Sequence, residues 1–253
     1  MAAIVQQWSL VYKRELGALL SLPLYYILCG IFFLLTSLIY LATLAEFARQ
    51  AGGTTVNVTD SVIRPVFHVV HFFLLVQVPL LTMRIFAEDQ ESGMLDLLQT
   101  TPMRDWPLLT GKFAAMVTAM GVYIALTVSF PFATSLLGEV EWPVVVGSVL
   151  ALLASASAYA AVGVFFSAVT ESQVVAAVLS YVTLFLLVFL QVFAQAAGIP
   201  ALEDAALHFA VMEHLEAILS GNIAAMNVMY FVGMSVVFLF FTARRLSMRR
   251  ARA

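Results

Sequence analysis

Six long apolar runs separated by short polar segments dominate the chain. Each run is long enough to cross the hydrocarbon core of a bilayer, which takes about 20 residues of α-helix. Pro79 and Pro131 fall inside the second and third runs, where each removes a backbone hydrogen bond and predicts a kink. The pattern predicts an all-α, polytopic membrane protein with six transmembrane helices. The runs are Leu22–Leu44, Val66–Met83, Phe113–Leu137, Val144–Phe166, Val174–Ala194 and Ile223–Thr242.

Composition supports the bilayer as the solvent of this chain. The 253 residues are 62% hydrophobic and only 11% charged, with a mean hydropathy of +0.99, whereas soluble domains carry about a quarter charged residues. The net charge of −3 and the absence of basic patches interleaved with aromatic residues argue against a nucleic-acid partner. The lone Cys29 excludes a disulfide framework and a thiolate metal cluster. We find no repeat or linker, so residues 1–253 form a single transmembrane domain.

The distribution of basic residues predicts the topology. With both termini inside, only Arg49 and Arg64 of the twelve Lys and Arg residues lie outside, which leaves ten inside. Because Lys and Arg accumulate in cytoplasmic segments, we expect both termini in the cytoplasm. The basic residues placed inside are Lys13, Arg14, Arg84, Arg104, Lys112, Arg244, Arg245, Arg249, Arg250 and Arg252. The outer segments carry the acidic residues Glu139, Glu141, Glu203, Asp204, Glu213 and Glu216.

Three segments are too polar to span. Residues 1–21 combine apolar residues with charges and predict an amphipathic helix at the inner interface. The charged residues 87–112 form the longest inner segment, between the second and third spans. Residues 198–222 predict a short outer helical segment before the last span, because four apolar positions recur every four residues. Those positions are Leu207, Val211, Leu215 and Leu219.

The inner segment Ala87–Lys112 is the strongest functional candidate. Its carboxylates predict the start of a short helix, where negative charge favours the positive end of the helix dipole. Apolar residues follow, and Pro102 then ends the helix. A charged, amphipathic excursion of this kind suits docking of a soluble motor; the alternative is a surface loop with no partner. The carboxylates are Glu88, Asp89, Glu91 and Asp96, and the apolar residues are Met94, Leu95, Leu97 and Leu98.

The sequence contains no nucleotide-binding or hydrolase motif. G-x-x-x-x-G-K-[ST], G-x-S-x-G and H-E-x-x-H are all missing. We therefore expect no catalytic residues and no cofactor in this chain, and expect ATP and Mg²⁺, if used, to bind another subunit.

Polar residues in and near the spans leave two interpretations open. Gln77, Gln191 and Gln195 either form hydrogen bonds between helices or line a substrate path. His68 and His71, one turn apart, and His208 and His214, on either side of Glu213, either bind a metal, relay protons or cap helix ends. Their spacing matches no zinc signature, so we expect no metal site.

Five stretches of the sequence are similar to a known family, and the likeness runs nearly end to end. Together they resemble the type-2 ABC exporter permeases, and especially the gliding-motility permease subgroup, relatives of the nitrous-oxide-reductase maturation permease. The stretches are YKREL (Tyr12–Leu16), LPLYYI (Leu22–Ile27), LLTMRIFAEDQESGMLDLLQTTPMRDWPLLTGK (Leu80–Lys112), SAVTESQVVAAV (Ser167–Val178) and HLEAILSGNIAAMNVMYFVGMSVVFLFFTARRL (His214–Leu246).

The resemblance implies a motor-coupling motif inside Ala87–Lys112. It also implies a dimer of permeases or a pair of related ones, two cytoplasmic ABC ATPase subunits and a bacterial inner-membrane location. His214 then becomes a structural feature of the outer segment. The positions that match the coupling motif are Glu88, Glu91, Gly93, Asp96, Leu97, Leu98, Pro102 and Lys112, and Asp89 lies among them.

The resulting hypothesis is the permease subunit of an ABC exporter, which does not itself catalyse a reaction. An alternative is a self-contained membrane enzyme or metal-handling protein built on the outer histidines. A third is an assembly protein that transmits force to a periplasmic accessory partner. The sequence leaves the cargo open among lipid, polysaccharide, peptide, ion and no cargo.

Overall fold

The computed structural model describes residues 2–50, 57–94, 105–222 and 224–250. About 90% of the structure is helical, and these four stretches contain no strand. The all-α prediction is confirmed. The helices are α1 Ala2–Ser21, α2 Pro23–Gln50, α3 Arg64–Thr82, α4 Arg84–Glu91, α5 Asp105–Thr127, α6 Ser129–Ser135, α7 Trp142–Val169, α8 Gln173–Val188, α9 Leu190–Ala197, α10 Pro200–Phe209, α11 Val211–Leu219 and α12 Ala225–Arg250. A π-helical turn, Thr59–Ile63, leads into α3.

Five stretches of helix are long and apolar enough to cross a membrane. They are Pro23–Arg49, Thr59–Glu91, Asp105–Ser135, Trp142–Val169 and Ala225–Arg250. The fifth predicted apolar run forms the pair α8 and α9, which meet at a bend of 58° and together make a sixth candidate. The chain is therefore a multi-pass membrane protein.

The two prolines inside apolar runs act differently. Pro131 lies four residues after Thr127, where α5 ends and α6 follows, as expected when a proline cannot donate to that carbonyl. Helix α3 instead continues through Pro79 and ends at Thr82. Next to Pro79, the Val76 carbonyl accepts a hydrogen bond from the Tyr181 hydroxyl of α8.

Helix α7 lies at the centre of the bundle and packs against α3, α5, α8 and α12. Its small residues Ala151, Ser155 and Ala158 are buried, and small side chains of this kind allow neighbouring helices to approach closely. Helices α7 and α3 pack tightly at Gly163, where a Cβ atom would lie 1.9 Å from the Thr82 hydroxyl oxygen. Glycine is therefore required at this crossing.

The two ends of the bundle can be told apart by the charged residues that they carry. At the end that we call the basic end, the C-terminus of α12 meets the N-terminus of α5 through an ion pair of 3.2 Å between Arg250 and Asp105. At the opposite, acidic end, Asn57 donates to Glu141 at 2.6 Å, and the Thr59 hydroxyl accepts from the Glu141 amide. Tryptophans mark both levels, since Trp106 lies at the basic end and Trp142 at the acidic end, where they suit the bilayer interfaces.

Two helical segments lie outside the spans, and the helix predicted from the sequence matches the structure better for the first than for the second. Residues 2–21 form one helix, α1, which packs along α5. The outer segment consists of two helices rather than one stripe, because the chain is extended at Ala210. Val211, Leu215 and Leu219 on α11 are buried as expected, but Leu207 belongs to α10 and is 43% exposed, so its assignment to the stripe was wrong.

Candidate functional site

At the start of helix α4, a side chain from another helix forms hydrogen bonds with the first backbone groups. The Ser167 hydroxyl, fully buried on α7, accepts hydrogen bonds from the amides of Phe86 and Ala87 at 2.9 and 3.0 Å. The same hydroxyl donates to the carbonyl oxygen of Met83 at 2.9 Å. Ser167 thus supplies hydrogen-bond partners for the backbone groups at the break between α3 and α4.

This capping corrects the sequence-based position of the carboxylates. Because the helix restarts at Arg84, Glu88 and Asp89 lie in its second half and Glu91 is its last residue. Their assignment to the positive end of the helix dipole was therefore wrong. Glu88 instead pairs with Arg84 one turn before it, at 2.9 and 3.0 Å.

A buried lysine joins α4 to α1 and α5. Lys112, on α5, is 2% exposed, and its ammonium lies 2.8 Å from Asp89 and 3.0 Å from Glu15 of α1. The ammonium also donates to the carbonyl oxygen of Ile85 at 2.8 Å and lies over the Phe86 ring. An ammonium so far from water persists because two carboxylates and a carbonyl replace its hydration.

The opposite side of α4 is tied to α7, α8 and α12. The Gln90 amide donates to the carbonyl of Ser167 at 2.9 Å, and its oxygen accepts from Arg249 of α12. Gln173, at the start of α8, donates to Glu91 at 3.3 Å. Helix α4 thus makes polar contacts with α5, α7, α8 and α12, and Lys112 of α5 links it further to Glu15 of α1.

The residues predicted for the coupling segment fall into two groups. The structure brings Glu88, Asp89, Glu91 and Lys112 to α4 and its surroundings, and Gly93 ends the helix with a φ of 71°, a conformation suited to glycine. The remaining predicted residues, Asp96, Leu97, Leu98 and Pro102, lie outside the described residues.

Sequence reasoning missed Glu15, Gln90, Ser167 and Arg249. Of these four residues, Glu15 carried the clearest signal in the sequence, because it is the one carboxylate of residues 2–21. Ser167, at the end of an apolar run, gave no such signal. The pairing of Gln90 with Arg249 joins positions 159 residues apart.

The three glutamines predicted as a substrate path occupy different places. Gln77 is fully buried on α3; its amide nitrogen donates to Cys29 Sγ at 3.3 Å, while its oxygen has no partner among the described residues. Gln191 lines a cavity of about 170 Å³ at the bend between α8 and α9, towards the acidic end. Gln195, one turn later, is exposed.

The same cavity holds two of the histidines. His68 lies 2.6 Å from Glu216 of α11, and His71, which is buried, lies 2.6 Å from the hydroxyl of Tyr159. Phe72, Leu75 and Met212 complete much of the apolar wall. Each histidine links α3 to a neighbouring helix.

His214 links the outer segment to α12, whereas the side chain of His208 bonds the carbonyl of Asp204 in its own helix. His214 lies 2.9 Å from the Asn227 side chain and 3.2 Å from the carbonyl of His208, and its ring stacks on Tyr230. Within the described part of the chain, no group of three or more His, Cys, Asp or Glu side chains is placed to hold a metal ion. These contacts give His214 a structural role.

These features define a helical, multi-pass membrane protein whose polar contacts converge on one short helix at its basic end. The chain matches the model of the ABC-2 family transporter proteins over residues 9–249, nearly its full length, and it belongs to that family. Members are the membrane component of a transporter, are not themselves catalytic and work with an ABC ATPase. No curated protein matches the chain.

Proposed function

We propose that this chain is the permease subunit of an ABC exporter and that the segment Ala87–Lys112 receives the motion of a cytoplasmic ATPase dimer. The observation that carries the proposal is the anchoring of α4. The Ser167 cap and the Lys112 ion pairs connect this helix rigidly to the bundle. ATP and Mg²⁺ are held by the partner subunits.

The topology that we propose has six crossings and both termini in the cytoplasm. Support comes from the contacts at the two ends of the bent pair α8 and α9. Gln173 at the start of α8 contacts Glu91 at the basic end, and Glu216 on α11 contacts His68 at the acidic end. The bent pair then joins opposite ends of the bundle, and the basic end faces the cytoplasm.

The work of such a permease is a shift between two conformations. A motor that favours one of them by about 5.5 kcal/mol moves the population from 1:99 to 99:1. Movement of α4 reaches α3 across the Met83 break, α7 through Ser167 and α12 through Arg249. At the acidic end of the bundle, these helices then rearrange around the cavity at Gln191. We place this cavity on the substrate path. Gln77 serves instead as a polar group between helices, and Gln195 as a polar group on the surface.

The subunit works with a second copy or a related permease in a bacterial inner membrane, as in the gliding-motility subgroup. Support comes from the faces of α2 and α12 that carry exposed apolar side chains, which suit lipid or a second permease. The acidic end offers a surface for a periplasmic accessory protein. The exposed residues on the two helices include Ile27, Leu34, Leu38, Met229, Val236 and Phe240.

An ATP-dependent signal from α4 tests the proposal. Met94 is 39% exposed just after this helix, and Cys29 is the chain's single cysteine. With Cys29 replaced by Ala, an environment-sensitive fluorophore on Met94→Cys should change its emission when ATP is added to the complex with the ATPase. It should not respond when the permease is alone. An unchanged signal beside an ATPase that hydrolyses ATP would contradict the proposal.

A further inference from the structure

A cleft with a volume of about 380 Å³ lies between α1 and α4 at the basic end. This volume is in the range of sites that hold small molecules, about 300–1,000 Å³. Its deeper wall is aliphatic and includes Leu19, Leu81 and Ile85, whereas its rim carries charged side chains from both helices. A site with an apolar wall and a charged rim suits an amphiphile.

The charged side chains on the rim do not all form one-to-one ion pairs. Arg84 and Glu88 neutralise each other. The ammonium of Lys112 is shared by Glu15 and Asp89, so one negative charge remains in excess there.

A positive charge on the rim, opposite in sign to the excess at Glu15 and Asp89, belongs to Arg14. This arginine is exposed and makes no hydrogen bond or ion pair with the residues that the structure describes. Among its described lining residues, the cleft thus presents one free positive group and one excess negative charge, and these lining charges sum to zero.

The position of the cleft also points to a membrane ligand. Helix α1 leads directly into the span α2, and its exposed apolar residues Val5 and Leu10 suit contact with lipid. Trp106 packs beside Trp8 and Val5 around a second, small cavity at the same end, as expected of side chains at headgroup depth. A molecule that enters the cleft with its charged part at this depth can leave acyl chains in the bilayer.

We propose that the cleft between α1 and α4 binds a zwitterionic phospholipid that carries a primary ammonium group. Its phosphate pairs with Arg14, and its ammonium donates hydrogen bonds to the carboxylates of Glu15 and Asp89. A trimethylammonium headgroup has no N–H to donate, and an anionic headgroup would lie against the excess carboxylate. Because Glu15 and Asp89 join α1 to α4, the bound lipid braces the proposed coupling helix.

The proposal rests on the proposed function only in placing the basic end at a membrane surface, so its test uses the permease without the motor. The full chain is reconstituted in phosphatidylcholine vesicles containing either phosphatidylethanolamine or phosphatidylglycerol. It is then extracted into detergent, and retained lipid is measured by native mass spectrometry. We expect retention of one phosphatidylethanolamine per chain, in preference to both other lipids.

Variants of α1 assign the lipid to the cleft. Arg14→Gln should weaken retention about tenfold, which corresponds to about 1.4 kcal/mol, and Arg14→Lys should restore most of it. Lys13→Gln removes an adjacent exposed charge that does not line the cleft and should change nothing. Equal retention of the three lipids, a preference for phosphatidylglycerol, equal losses in Arg14→Gln and Lys13→Gln, or equally tight binding of soluble glycerophosphoethanolamine would each overturn the proposal.

Discussion

The ammonium of Lys112 lies 2.8 Å from the carboxylate of Asp89, and this ion pair fastens α4 to α5. Lys112 is 2% exposed, and Glu15 supplies a second carboxylate from α1. Three helices thus meet at one buried cation. Breaking a buried pair by removing one partner leaves the other charge without compensation, which costs more than the pair itself contributes.

Replacing Lys112 by Met should destabilise the protein by about 3 kcal/mol. The two carboxylates would remain close together with no cation, and the carbonyl of Ile85 would lose its donor. The measurement is the thermal unfolding midpoint in detergent. Lys13→Met, an exposed lysine on α1, serves as the control and should leave it unchanged. Adding Glu15→Gln and Asp89→Asn to Lys112→Met should recover much of the lost stability. If the triple variant remains as unstable as Lys112→Met, the broken ion pairs are not the cause of the destabilisation.

Replacing Ser167 by Ala should loosen α4 specifically. The amides of Phe86 and Ala87 would lose their acceptor, and each unsatisfied buried group costs about 1–3 kcal/mol. Hydrogen exchange followed by mass spectrometry should show faster exchange in peptides that cover α4. Ser155→Ala, on the same helix, is the control, because this buried hydroxyl donates to the Leu152 carbonyl of its own helix. Equal exchange in the two variants would show that Ser167 does not cap α4.

Replacing Gly163 by Ala should force α3 and α7 apart. The new methyl carbon would lie 1.9 Å from the hydroxyl oxygen and 2.7 Å from Cβ of Thr82. Gly121→Ala is the matched control, since its methyl group would meet Leu153 at an ordinary 3.6 Å. Yield of folded protein and thermal stability should fall for Gly163→Ala alone. A second change, Thr82→Ala, should restore part of the loss because it removes the closest atom.

The spans could be predicted from the sequence, whereas the shape of the fifth could not. A run of apolar residues is enough to predict a crossing, and Pro131 marks the break after Thr127 by removing a hydrogen bond. The bend between α8 and α9 falls at Phe189, where neither proline nor glycine announces it. Such a bend depends on packing against other helices, which one sequence does not reveal.

The candidate site was predictable as a segment but not as a set of contacts. Its charge and the likeness to permeases indicated Ala87–Lys112, which contains Asp89 and Lys112. The start of α4 was misplaced because the cap comes from Ser167, on a distant part of the chain. Glu15 stood out as the one carboxylate of residues 2–21, but its partner Lys112 could not be predicted, since the pairing exists only after α1 packs on α5.

Reporter fusions test the proposed six crossings. Alkaline phosphatase, active only outside the cytoplasm, should be inactive when fused after Ala253 and active when inserted after Glu139, an exposed residue of the acidic end. The result depends on α8 and α9 crossing as one bent span. If this pair instead returned to the side it entered from, five crossings would remain and the Ala253 fusion would be active.

The most direct test of the account is the effect of Leu97→Asp on the association between permease and ATPase. A charge at this apolar position should disrupt a buried contact with the motor, which costs several kcal/mol, on the order of the largest single-residue losses at interfaces. Met248→Asp introduces the same charge at an exposed apolar site of the basic end and serves as the control.

The measurement is the amount of ABC ATPase subunit, identified by its nucleotide-binding motif, that co-purifies with tagged permease, together with the ATP hydrolysis of the complex. We expect Leu97→Asp to insert at the normal level but to lose both, and Met248→Asp to retain both. Undiminished ATPase binding and hydrolysis in Leu97→Asp would contradict the claim that this segment couples the permease to its motor.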